Sequence, residues 1–263
     1  MNLIGRRALW VGGLTLVLVG GLSYYLGQYG WVASRVKTQA PAKPFTVELI
    51  TKRLSADGLP EEITERVTTA VFSDGTEVRL GLSRAGDEVR RVSFADGAYA
   101  NIVHNLKAMW RGRVSAKSVA ERQERLRRQI ARGCIPESPH ATAMGNARIL
   151  GVDVVQIAVE DTPSQRILLS LAPELNCFPL RLEVQSRVGD GWRASLVKEP
   201  AALHVGEPPN ELRNVPSYPS LIPSQVARLW LKQHPEVQTR VPDPAKSFGW
   251  SELDRRHAAE QGN

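Results

Sequence analysis

The chain has 263 residues, with 34 Lys and Arg against 27 Asp and Glu, a net charge of +7 and a pI near 9.7. Only 6% of residues are aromatic and no basic-aromatic stacking motif occurs, which argues against a nucleic-acid partner. The moderate basicity suits an ordinary solvated surface, anionic lipid or an acidic protein.

Arg6 and Arg7 precede an unbroken run of apolar, glycine and small polar residues from Ala8 to Leu26. A run of about nineteen such residues spans a ~30 Å hydrocarbon core as a helix. The paired arginines favour keeping residues 1–7 on the cytoplasmic side. Tyr24, Tyr25, Tyr29 and Trp31 follow like an interfacial aromatic belt. The expectation is an uncleaved, single-pass signal anchor over residues 8–28 in the inner (cytoplasmic) membrane, with the bulk of the chain periplasmic. Small-residue contexts at Val32-Ala33-Ser34 and Ala40-Pro41-Ala42 keep cleavage open as the alternative. Residues 33–44, polar and proline-bearing, read as a tether.

From Phe45 the texture becomes β-rich. Asp57-Gly58, Asp74-Gly75, Gly86-Asp87 and Asp96-Gly97 punctuate alternating segments and predict strands at 45–55, 61–72, 76–83, 88–94 and 98–107. Short connections between them favour an antiparallel meander. A helix is expected over 117–132, with Ser118-Val-Ala-Glu121 as a capping box, Val119, Leu126 and Ile130 as its apolar stripe, and Gly133 as its stop. Its polar side carries Arg122, Arg125, Arg128 and Arg132, a candidate contact surface for anionic lipid or an acidic partner. The competing reading is an ordinary exposed face with Glu121–Arg125 and Glu124–Arg128 pairs.

Strands resume at 149–160, 165–171, 180–188 and 192–198, with a further segment at 202–205. The β domain is thus expected to run over 45–222. A docking helix at 223–234, starting on Pro223, would pack through Val226, Leu229 and Trp230. Residues 235–263 are polar and proline-broken, and are expected to be loosely ordered.

Cys134 and Cys177 are the two cysteines, and both lie on the exported side, where disulfides persist. One intramolecular pairing exists, worth about 4 kcal/mol in the chain-entropy model. Two unbridged thiols or an intermolecular bridge are the alternatives. Neither cysteine has a histidine at zinc-ligand spacing, and no HExxH, P-loop, dinucleotide fingerprint or G-x-S-x-G elbow occurs. The five histidines are scattered, and His104 on a strand reads as a core or edge residue. The expectation is therefore a non-enzymatic domain with no metal and no cofactor.

Three stretches carry a resemblance. They are Arg148-Ile-Leu-Gly-Val-Asp-Val-Val155, then Ile167-Leu-Leu-Ser-Leu-Ala-Pro-Glu-Leu-Asn-Cys-Phe-Pro-Leu-Arg181, then Val205-Gly206-Glu207-Pro208 with Val215-Pro216. Together they resemble a family of exported bacterial proteins, similar in layout to LolA/LolB-type lipoprotein carriers and to the N-terminal domain of RseB-like periplasmic regulators. The resemblance implies a mainly β (α+β) fold: a curved antiparallel, half-barrel-like sheet packed with one or two helices. It also implies an exported compartment and brings no catalytic residue; an apolar concave face on such a sheet would take lipid, lipoprotein or another hydrophobic ligand. A structural or regulatory interaction module of the cell envelope is the alternative, with another envelope protein as partner. The oligomeric state is not set by the sequence.

Overall fold

The computed structural model describes residues 43–55, 58–82 and 87–235, together with Asp254, Arg255 and Ala258. The expected anchor at 8–28, most of the tether and most of the tail at 235–263 lie outside the described residues. Among the described residues no helix is long and apolar enough to cross a membrane.

Eleven strands form one antiparallel sheet: β1 (Phe45–Leu54), β2 (Pro60–Val71), β3 (Glu77–Leu82), β4 (Glu88–Ser93), β5 (Ala98–Val103), β6 (Ala108–Arg113), β7 (Ala141–Ile149), β8 (Val152–Thr162), β9 (Gln165–Ala172), β10 (Phe178–Val188) and β11 (Gly191–Val205). Their order is β6-β5-β4-β3-β2-β1-β11-β10-β9-β8-β7. The chain starts in the middle, meanders out to β6, crosses to the far edge at β7 and meanders back until β11 pairs with β1. The crossover carries α1 (Ala116–Ala131).

The mainly antiparallel expectation holds, with two corrections. Residues 98–107 do not form one strand: the chain turns through Lys107, at φ +47, and a separate β6 follows. The expected strand at 149–160 begins only after a turn at Leu150 and Gly151, with φ +46 and +84, and a further strand, β7, precedes that turn. Neither Lys107 nor Leu150 is a residue type that announces a left-handed turn. The segments 192–198 and 202–205 are one strand running through Pro200. A register shift between Glu48 and Leu49 accommodates the proline, which cannot donate to the ladder.

The helix links the two halves of the sheet. Its N-terminus sits at the β4–β5 turn, where Val114 N–H donates to Gly97 O, and its C-terminus is bonded to the β9–β10 turn through Cys134–Cys177. A helix of 16 residues is ~24 Å long, and with the short segments to Val114 and Cys134 it covers the ~29 Å of six strand spacings from β5 to β10.

Two apolar clusters lie on opposite faces. On the helix face, Ile157, Val159 and Leu171 pack with both cysteines, joined by Ile130, Ile135 and Leu169. On the outer face, Ala70, Phe72, Val78, Val92, Ala100, Ile102 and Met109 are buried beneath Leu212, Val215 and Tyr218 of the segment after β11. That segment then pairs with the β6 edge, where Met109 N–H donates to Pro219 O and Leu221 N–H to Met109 O.

The chain ends its described core in α2 (Pro223–Gln233). Val226 is buried as expected, but Leu229 is 38% exposed and Leu231 takes the inward position. Trp230 docks through its indole N–H, which donates to the buried Asp87 at 2.5 Å, and His234 Nε2 lies 3.2 Å from the same carboxylate. Asp254 accepts from Ser224 N–H at the start of α2.

Candidate functional site

Ser115, not Ser118, caps α1: its Oγ accepts the Ser118 N–H at 3.2 Å. The helix thus begins one residue before the expected 117, and three before a Ser118 cap would start it. Gly133, at φ +65, ends it as expected. No residue of α1 is fully buried. Val119, Leu126 and Ile130 form a half-buried stripe, joined by Arg122 and Gln123, while Lys117, Arg125, Arg127, Arg128 and Arg132 are exposed. Arg122 therefore leaves the row formed by Arg125, Arg128 and Arg132. A shallow groove runs along the helix past Ala120, Glu121, Glu124, Arg125 and Arg128.

Part of this charge is paired. Glu124 reaches Arg127 at 3.3 Å and Arg128 at 3.8 Å, and Glu137 reaches Arg128 at 3.0 Å and Arg132 at 3.8 Å. These are exposed pairs, each worth at most about 1 kcal/mol, so they compete weakly with an outside anion.

The cysteines form the expected disulfide, with Cα atoms 5.3 Å apart. Both are buried, and both have left-handed backbone: φ +70 at Cys134 and +57 at Cys177.

The sequence reading missed a polar band on the helix face. Direct cross-strand partners place Thr69, Arg79, Arg91 and Asn101 in one row over β2 to β5, with Glu77 and Ser93 in the next. Thr69, Glu77 and Asn101 are buried. Arg79 binds Glu77 at 2.7 Å, and Arg91 bonds Ser93 and lies 4.6 Å over the Tyr99 ring. Toward the middle of the sheet, buried Lys198 pairs with Glu65 at 3.1 Å. Burial holds the Lys198 pKa below its ordinary value, partly offset by Glu65. The parity of Glu77/Arg79 and Arg91/Ser93 was readable, but alternation does not say which side of a strand another element will cover.

His104 bridges Tyr218, with Nδ1 3.4 Å from the hydroxyl, and Glu88 at 3.6 Å. It stands at the β5 end, away from α1. Among the described residues no group of three or more His, Cys, Asp or Glu is arranged to hold a metal.

No protein-family model and no curated protein sequence matches the chain. Among solved structures it is similar to MucB of Pseudomonas aeruginosa in the MucA/MucB complex, at 16% identity and a TM-score of 0.33, over 69% of this chain and 60% of that one. An uncharacterized conserved protein from Thermus thermophilus matches at 9% identity and a TM-score of 0.37, over 67% and 87% of the two chains. A lipoprotein-sorting protein domain from Vibrio parahaemolyticus matches at 12% and 0.26, over 65% and 89%. The chain spans about 60% of the MucB length.

Proposed function

We propose that the chain is a single-pass membrane protein with an extracytoplasmic, non-enzymatic domain at 45–222, and that this domain binds another envelope protein along α1. One observation carries the reading: α1 lies across the sheet with no fully buried residue and turns Arg125, Arg127, Arg128 and Arg132 to solvent. An acidic segment of a partner would meet several guanidinium groups that act as bidentate donors to carboxylates. The polar band on the same face of the sheet supports protein contact over an acyl chain, since the half-exposed Arg79 and Arg91 would desolvate poorly against hydrocarbon.

The test is a photo-crosslinking residue placed at Lys117 in the membrane-embedded full chain. A discrete protein adduct, lost when Arg125 and Arg128 are changed to Glu, is the expected result. An adduct that survives the charge reversal, or labelling of lipid alone, removes the reading.

A second reading, contact with a hydrophobic ligand or lipid, is favoured by the opposite end of the sheet. There Leu59, Ile63 and Leu82 at the β1–β2 and β3–β4 hairpins are 63%, 53% and 60% exposed. Lipid extraction from the gently purified full chain would recover a stoichiometric species under this reading and none under the first.

A further inference from the structure

We propose that the Cys134–Cys177 disulfide is a redox-sensitive latch: reduction by a dithiol releases the C-terminal half of α1 while the sheet stays folded. The inference concerns how the helix is held and stands whatever binds to it.

The helix has little else to hold it. None of its residues is fully buried, and its apolar contact is the half-buried stripe of Val119, Leu126 and Ile130. An isolated helix of this length is marginal in water, so its order depends on what it is tied to. At the N-terminal end the tie is local: Val114 N–H bonds Gly97 O at 2.9 Å. At the C-terminal end the tie is the disulfide, reinforced by Cys134 N–H to Gln129 O and by Gln129 Nε2 to Cys134 O.

The backbone at this end is held in an uncommon state. Gly133 and Cys134 have φ +65 and +70, and across the bridge Asn176 and Cys177 have φ +58 and +57. Three of these four carry side chains, for which the left-handed region is sparsely populated and persists only where the surroundings enforce it. The cross-link is such an enforcing element. Its opening lets Cys134 and Cys177 relax, so backbone strain favours the reduced form relative to a bridge between relaxed residues. The sulfurs lie over Ile157, Val159 and Leu171. Releasing the latch uncovers this cluster and shifts the arginine row of α1 together.

The step balances as an ordinary thiol–disulfide exchange. A thiolate of the dithiol attacks Sγ of Cys177, the slightly more exposed of the two. The Cys134 sulfur leaves with the bond's electron pair and takes up a proton. The second thiol of the reductant then attacks the mixed disulfide, Cys177 leaves and is protonated, and the reductant ends as a disulfide. Because both sulfurs are buried, attack follows fraying of the last helical turn at Gly133.

The test is hydrogen exchange on the full chain, oxidised, reduced with dithiothreitol, and reoxidised. Amides of residues 126–135 are expected to lose protection by about tenfold or more on reduction, while those of β1, β10 and β11 stay within about twofold. Reoxidation restores protection, and the Cys134→Ser/Cys177→Ser double variant behaves as the reduced form. Unchanged protection of α1 after confirmed reduction overturns the latch. So does a uniform loss across the sheet, which would make the bridge a global staple.

Discussion

Lys198 on β11 and Glu65 on β2 are not on neighbouring strands, yet Nζ reaches Oε2 at 3.1 Å over the intervening β1. Thr51 of β1 stands opposite both and donates its hydroxyl to the same carboxylate oxygen at 3.2 Å. Three strands are thus tied through one charged group on the helix face. Burial lowers the Lys198 pKa, Glu65 raises it back in part, and Arg79 adds to the lowering.

That balance predicts a pH signature. Below the lowered folded pKa both states hold the proton, and the cost of burying the charge is fully present. As pH rises from that value toward 10.5, the unfolded chain binds more protons than the folded one, so stability rises with pH in this window. Lys198→Met should flatten the rise and leave neutral-pH stability within about 1 kcal/mol of wild type, or above it. Glu65→Gln should instead cost about 2 kcal/mol, because it strands a buried ammonium. Urea unfolding at pH 7 and across the alkaline limb checks both; a steeper alkaline rise in Lys198→Met would contradict the account.

Asp96 makes the opposite prediction at acid pH. The Ala98 N–H, donated at 3.0 Å, is the main cause of its lowered pKa; burial opposes it, and Arg113 at 2.9 Å assists. A lowered folded value means the contribution is present above the ordinary 3.8 and is lost as pH falls through the folded pKa. Asp96→Asn should therefore remove part of the acid sensitivity below about pH 4. Because the group is exposed, the effect is expected to be small and weaker in high salt. Thermal melts between pH 2 and 6 at two salt concentrations test this.

The adjoining Gly97 seats the N-terminus of α1. It has φ +89, and a Cβ there would stand 2.8 Å from Val119 Cγ2 and 2.9 Å from Val114 O. Gly97→Ala should cost about 2 kcal/mol from backbone strain and overlap together. Nearby Gly112 leaves room for the Tyr99 ring, whose Cζ would lie 2.5 Å from an added Cβ. Gly112→Ala should displace that ring and break its stack with Arg91. Denaturant midpoints measure the loss in each case. Greater trypsin cleavage within α1 is expected for Gly97→Ala and not for Gly112→Ala.

These glycines also show where the sequence was legible. Asp-Gly pairs located the β2–β3 and β4–β5 turns because glycine at φ +89 in both Gly75 and Gly97 leaves a compositional trace. Lys107 and Leu150 leave none, so β6 and β7, which lie just beyond those two turns, were not anticipated. Phe45, Val47 and Leu49 alternate with half-buried residues, and their strand was evident. For the candidate site, the arginines of α1 and both cysteines could be named in advance. The half-burial of Arg122 on the helix stripe and the polar band on the α1 face of the sheet could not. Both depend on which face of a strand lies beneath a helix that follows more than a dozen residues later, and that is decided by the edge-to-edge crossover.

The last prediction concerns the other helix. Asp87 is buried and collects the Trp230 indole N–H, the Asn105 amide and the His234 ring. Replacing it by Ala takes the acceptor from the half-buried Trp230 indole and His234 ring, a loss of about 2 kcal/mol. Trp230→Phe removes one donor together with its share of the demand, so it should cost less, about 1 kcal/mol. Val226 and Leu231 remain packed in both variants, so α2 should loosen rather than detach. Hydrogen exchange should then show lost protection in α2 and in the 219–222 pairing with β6, with β10 and β11 unchanged. If Asp87→Ala instead lowered protection throughout the sheet, the carboxylate would be holding the β3–β4 region itself, and α2 would be following it.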